Sequence, residues 1–171
     1  MPSFRVEHTF ECTQTTFWEK VFFDLEYNRR LFYDELHFAE WTELDRKDEG
    51  HRVTRSVRAL PPLADLPGPL KAAIGESAGY EEYGVFERAT NSYTAKVKAT
   101  SLLGDRVAVE LAFNTEPLPE DRCKRIVNGS VNVKAFMIGS LIEQRMISDL
   151  KRSYEKNAVF TNKFVAEKGW R

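Results

Sequence analysis

Two arginines sit where arginine is costly. Arg55 falls between Val53 and Val57, and Arg125 between Cys123 and Val127. If apolar and polar residues alternate strictly there, both guanidiniums aim inward. Glu87 follows Tyr83 and Val85 in the same rhythm. A buried charge is expensive unless it is paired. Two readings are open. In one, Arg55 or Arg125 meets a carboxylate, phosphate or hydroxyl of a bound molecule. In the other, these residues lie at strand ends and reach solvent, or pair with Glu87.

The remaining reactive residue types form no catalytic or metal-binding pattern. His8, His37 and His51 lie in separate segments, and Cys12 and Cys123 belong to no CxxC pair or zinc spacing. No GxSxG, HExxH or glycine-rich phosphate loop occurs. The sequence therefore points to no catalytic residue, no metal and no cofactor.

The bulk composition narrows the setting. The 171 residues suit one domain spanning 1–171, with 42% hydrophobic residues for a core and 30% charged residues for a solvated surface. Lysine plus arginine (25) nearly cancels aspartate plus glutamate (26). The short basic clusters, such as Arg29-Arg30 and Lys151-Arg152, are interleaved with acids, which argues against a nucleic-acid partner. With no signal-like N-terminus, no apolar run of membrane-spanning length and no paired cysteines, a cytoplasmic location is expected.

The positioning elements follow from periodicity. Ser3 to Phe10 reads as a strand with Phe4, Val6, His8 and Phe10 on one side. Thr13 and Asp24 are N-cap candidates for two short helices in succession. Strands follow from Phe38 to Leu44, along Val53–Ala59, from Tyr80 to Arg88, along Tyr93–Ala99, along Val107–Phe113 and from Cys123 to Val133. The Pro61–Pro69 stretch must be a loop, because proline lacks the ladder donor, and Leu70 to Ile74 reads as a helical turn. From about Phe136 onward, Ile138, Leu141, Ile142, Met146, Leu150, Tyr154, Phe160 and Phe164 recur at helical spacing. Unbroken, that helix would be roughly 50 Å long, so its last turns are expected to protrude, fray or contact a partner. A curved antiparallel sheet of about seven strands with one apolar face needs a cover, and only this helix is long enough.

This order of elements resembles the helix-grip fold of the START and Bet v 1-like superfamily, an α+β architecture. Phe32-Tyr33-Asp34-Glu35-Leu36-His37-Phe38 followed by Trp41 resembles the helix-to-strand passage of an uncharacterised bacterial family within it. Ser140-Leu141-Ile142-Glu143 resembles the same position in VASt sterol-transfer domains, and the Pro61–Pro69 loop resembles a proline-rich connection in the bacterial relatives. The resemblance implies a cavity for lipids, sterols, plant hormones or polyketides, or a cyclase, hydrolase or co-chaperone. It also implies that the first and last strands are neighbours, which would bring Cys12 near Cys123 as reduced thiols.

The reading that follows is binding of a hydrophobic small molecule, a lipid or sterol, with transient membrane contact. Trp41, Tyr83, Tyr93, Phe113, Phe136 and Met146 are the expected aromatic and soft lining, beside Val53, Arg55, Val57, Val85, Val109, Leu111, Arg125, Val127 and Ile142. Close packing without a cavity is the bland alternative for the aromatics. The Pro61–Gly79 segment would be the gate, and a phenylalanine at Gly139 would fill the cavity. A cyclase, dehydratase or hydrolase activity is a second reading. A protein-interaction module built on exposed aromatics of residues 160–170 is a third.

Overall fold

Seven stretches of alternating side chains become seven antiparallel strands: β1 (Ser3–Phe10), β2 (Glu40–Asp48), β3 (Arg52–Leu60), β4 (Tyr80–Glu87), β5 (Ser92–Ala99), β6 (Val107–Leu118) and β7 (Arg122–Val133). The structure is a computed structural model and describes residues 2–63, 65–75 and 78–171. The strand order is β1-β7-β6-β5-β4-β3-β2, so consecutive strands from β2 to β7 are antiparallel neighbours and only β1 crosses over. Pairing of Phe10 with Cys123 and Ser3 with Ser130 fixes that crossover.

Two helical segments fill the β1–β2 connection. Thr13 accepts a hydrogen bond from the Thr16 N–H and opens α1 (Gln14–Thr16). Asp24 accepts from the Tyr27 N–H and opens α2 (Leu25–Arg29). Both caps satisfy donors that a helix start leaves unpaired. Each helix then loosens into a π-helical turn, Phe17–Phe22 and Arg30–Glu35. After β3 come the proline-rich loop and α3 (Gly68–Ile74), with proline in its first turn. The last element is α4 (Gly139–Lys168), 30 residues long, or about 45 Å. It ends at Gly169, whose φ of +66° suits glycine, with the Trp170 N–H bonded to the Val165 carbonyl.

The register stacks the inward side chains in cross-strand rows. One row holds Arg55, Gly84, Ala95, Leu111, Gly129 and Phe4. The next toward the β4–β5 hairpin holds Val53, Phe86, Tyr93, Phe113, Val127 and Val6. On the other side lie Val57, Glu82, Val97, Val109 and Val131. Rows repeat every two residues, roughly 7 Å apart. Trp18, Phe22, Phe86, Tyr93 and Phe113 pack ring against ring at the hairpin end of the sheet.

The end of α4 corrects an expectation. Its last turns neither protrude nor fray: Ala158, Phe160, Thr161, Phe164 and Val165 are buried. Phe160 stacks on Tyr27, and Phe164 packs edge-on to Tyr27 and Trp170. Arg30 pairs with Glu167 at 2.9 Å, and Lys168 with Glu26 at 2.7 Å. The aromatic rings that suggested a partner-binding tail face α2 instead, because the α1–α2 segments cover them.

Candidate functional site

Toward its N-terminal half, α4 stands off the sheet and leaves a cavity of about 610 Å³, within the range of small-molecule sites. Val97, Val109, Leu111 and Phe113 line it from the sheet, and Ile142, Met146, Leu150 and Tyr154 from α4. The two π-helical turns contribute Phe17, Phe22, Leu31 and Phe32; an extra residue per turn at such sites re-aims side chains that a regular helix would direct elsewhere. Pro61, Pro62, Leu63, Leu66, Leu70 and Ile74 border the cavity from the expected gate. Within that segment Ala64, Glu76 and Ser77 lie outside the described residues.

The apolar wall is interrupted by buried polar groups. Tyr93 donates its hydroxyl proton to Glu82 at 2.7 Å. Gly84 makes this possible: a Cβ there would lie 1.7 Å from the Tyr93 hydroxyl oxygen, so only glycine lets the tyrosine lie across β4. Arg55 is buried 3.8 Å from Glu82 and is surrounded by the rings of Phe22, Phe23, Trp41 and Tyr93. Its only hydrogen bond among the described residues runs to the Phe22 carbonyl at 3.4 Å, and its Nε–H has no partner. Burial opposes the Arg55 charge, but Tyr93 and Glu82 outweigh it and its pKa rises. Burial, reinforced by the Glu82 charge, pushes the Tyr93 phenol well above its usual value, so it stays a donor.

Arg125 occupies a different corner. It donates to Asn157 Oδ1 at 2.5 Å, to His8 Nδ1 at 3.2 Å and to the Tyr154 carbonyl at 3.4 Å, and it stacks over Phe10 and Tyr154. Among the described residues its Nε–H has no partner. Burial lowers the Arg125 pKa, but a guanidinium starts high enough to remain charged. Burial first, then the Arg125 charge, lowers the His8 pKa, with Glu155 at 3.3 Å opposing. His8 therefore serves as a neutral acceptor.

Eight of the fifteen expected lining residues border the cavity: Arg55, Tyr93, Val109, Leu111, Phe113, Arg125, Ile142 and Met146. Val53, Val57 and Val127 are buried on the inner face but are covered by neighbours. Trp41 is buried at the sheet edge with Val57 and Ala59, stacked on Phe32. Tyr83 and Val85 are corrections. The inward phase of β4 is Tyr80, Glu82, Gly84 and Phe86, which turns Val85 outward and leaves Tyr83 54% exposed. Phe136 is also corrected: it lies before α4 begins and is 93% exposed. Gly139 cannot serve to fill the cavity, because a Cβ there would meet the Val133 carbonyl oxygen at 2.5 Å. Glu87, the third suspected inward charge, pairs with Arg52 at 2.8 Å on the outer face.

Sequence reasoning missed Glu82, Tyr27 and Asn157. The strand register places Glu82 beside Val57 and Val97 on the inner face, a pairing that alternation along β4 alone does not reveal. Cys12 and Cys123 are both buried and unbridged, and each feels the other's thiol, which lowers the Cys12 pKa and raises that of Cys123. Among the described residues no cluster of histidine, cysteine and carboxylates could hold a metal ion, and no helix is long and apolar enough to cross a membrane.

Solved structures with this architecture are numerous. An aromatase/cyclase from Streptomyces sp. R1128 superposes with a TM-score of 0.66 at 12% identity, covering 98% of this chain and 96% of that one. Norcoclaurine synthase from Thalictrum flavum, in complex with dopamine and hydroxybenzaldehyde, gives 0.62 at 14% identity, with 97% and 87% covered. A START superfamily protein from Mycobacterium smegmatis gives 0.56 at 16% identity, with 96% and 97% covered. At these identities the likeness establishes the helix-grip fold, as the sequence resemblance implied, and nothing about activity. No curated protein matches the sequence. A family model described as a protein of unknown function (DUF2505) matches residues 5–165.

Proposed function

Because the chain belongs to the DUF2505 family, whose description assigns no activity, the cavity must supply the functional reading, and we propose that it binds a hydrophobic small molecule of the lipid or sterol class as a carrier or sensor. The observation that carries this reading is an apolar space of about 610 Å³ bordered by a proline-rich segment and holding a few buried polar groups. Burying ligand surface there supplies about 25 cal/mol per Å², and the polar groups set orientation. The norcoclaurine synthase complex supports the reading by analogy of fold, since that protein holds two small aromatic molecules. Release and loading of such a cargo would bring the protein into transient contact with a membrane.

Native mass spectrometry of the purified protein, followed by organic extraction, tests this directly. A stoichiometric small-molecule adduct is expected. Val97→Trp places a large ring from β5 into the space and is expected to abolish uptake. Unchanged uptake by a folded Val97→Trp protein would place the binding site elsewhere.

One observation favours an enzyme instead. A carboxylate hydrogen-bonded by a tyrosine and flanked by an arginine, all facing an apolar space, is an arrangement suited to proton transfer. Under this reading Glu82→Gln abolishes turnover of a bound substrate while leaving its affinity within a few fold.

A further inference from the structure

The charges inside the cavity do not balance. Two buried guanidiniums, Arg55 and Arg125, face one partly buried carboxylate, Glu82. Arg55 has Glu82 at 3.8 Å, whereas the hydrogen-bond acceptors around Arg125 are an amide, an imidazole and a backbone carbonyl, all neutral. Glu155 lies beyond His8 with its side chain 70% exposed, so water screens it and it adds little charge to the interior. Arginine cannot relieve burial by losing its proton. The excess continues at the rim: Arg145, Arg152 and Lys156 border the cavity against Asp65 and Asp149. The wall is thus net positive in a chain whose overall charge is −1.

We propose that the ligand is an amphipathic anion, an apolar body carrying one carboxylate or equivalent acidic group, and that this group pairs with the Arg125 guanidinium, which borders the cavity and has no carboxylate among its hydrogen-bond acceptors in the described residues. The inference rests on the cavity being a ligand site and adds the chemical class of the ligand. Burial of the apolar body supplies affinity, and neutralising Arg125 supplies selection, because a neutral analogue leaves that charge uncompensated. Glu82 works against any anion in the same space, so its removal has a defined sign.

Calorimetric titration of the intact protein with matched pairs, each below its micelle concentration, tests this. Dodecanoate and methyl dodecanoate present a chain; lithocholate and its methyl ester present a rigid ring body. For at least one pair the acid is expected to bind about tenfold or more tightly than its ester, the scale of a charge-assisted hydrogen bond. Glu82→Gln, which keeps an acceptor for the Tyr93 hydroxyl, is expected to tighten acid binding and leave ester binding unchanged. Arg125→Gln is expected to erase the preference; if that variant fails to fold by circular dichroism, the ligand pairs and Glu82→Gln still decide. Esters binding as tightly as acids, or Glu82→Gln weakening acid binding, would overturn the anion assignment while leaving the cavity reading intact. Binding of neither member of either pair would overturn both.

Discussion

Residues 158–165 and residues 146–154 of α4 carry similar apolar side chains, yet the first stretch is sealed and the second is not. Phe160 and Phe164 are 2% and 0% exposed against Tyr27, with Trp170 folded back on Phe164. Met146, Ile147 and Leu150 are only partly buried. The difference lies in what faces the helix. The C-terminal stretch meets α2 and its ion pairs as well as the sheet. The N-terminal stretch faces the inner row of Val97 and Val109, whose side chains are too short to reach it. One helix thus serves as core at one end and as a cavity wall at the other.

The contrast can be broken most forcefully at its closed end. Phe164→Ala is expected to cost about 3–5 kcal/mol, the range for a buried aromatic in a core that collapses poorly, read by chemical denaturation. A loss below about 1 kcal/mol would mean that the C-terminal stretch is not core. Gly84→Ala comes next, at about 1–3 kcal/mol from overpacking, because its Cβ displaces the Tyr93 ring. It should also shift the tyrosine absorbance as the bond to Glu82 breaks. At the open end, Met146→Ala is expected to cost only about 1 kcal/mol, since a half-buried side chain loses a fraction of its transfer free energy. The gap between Phe164→Ala and Met146→Ala is the quantitative form of the comparison. The smallest effect is on pH dependence. His8 is held below its unfolded pKa, so the unfolded chain binds more protons as pH falls through the ordinary histidine range, and stability declines there. His8→Gln should flatten the stability curve between neutral pH and about pH 5.

Much of the fold was legible because most inward positions obey hydrophobic alternation. Thr13 and Asp24 cap their helices as their residue types predict. The failures cluster where the interior is polar. On β4 the true inward residues include Glu82 and Gly84, while the outward Tyr83 and Val85 look like core. Alternation reads hydrophobicity, so it inverts on a strand whose inner face carries a carboxylate and a glycine chosen to seat Tyr93. Phe136 misled for another reason: it precedes α4 in a turn where Met137 takes a positive φ of 65°, and helical periodicity says nothing about such a residue. Arg55 and Arg125 were placed inward by the pattern; that one is matched by a carboxylate and the other is not depends on Glu82, which the pattern hid.

The crossover of β1 has a consequence in time. Phe10 pairs with Cys123 and Ser3 with Ser130, so β1 has no partner until β7, the last strand of the sheet, has emerged from the ribosome. β2 to β6 can pair in order during synthesis, strand by strand, with only the β3–β4 connection carrying an α-helix, while β1 must wait as an open edge. Closure of the longest loop is therefore the late event, and it coincides with arrival of α4 over the sheet. The cavity exists only once β1 has met β7 and α4 has closed over the sheet.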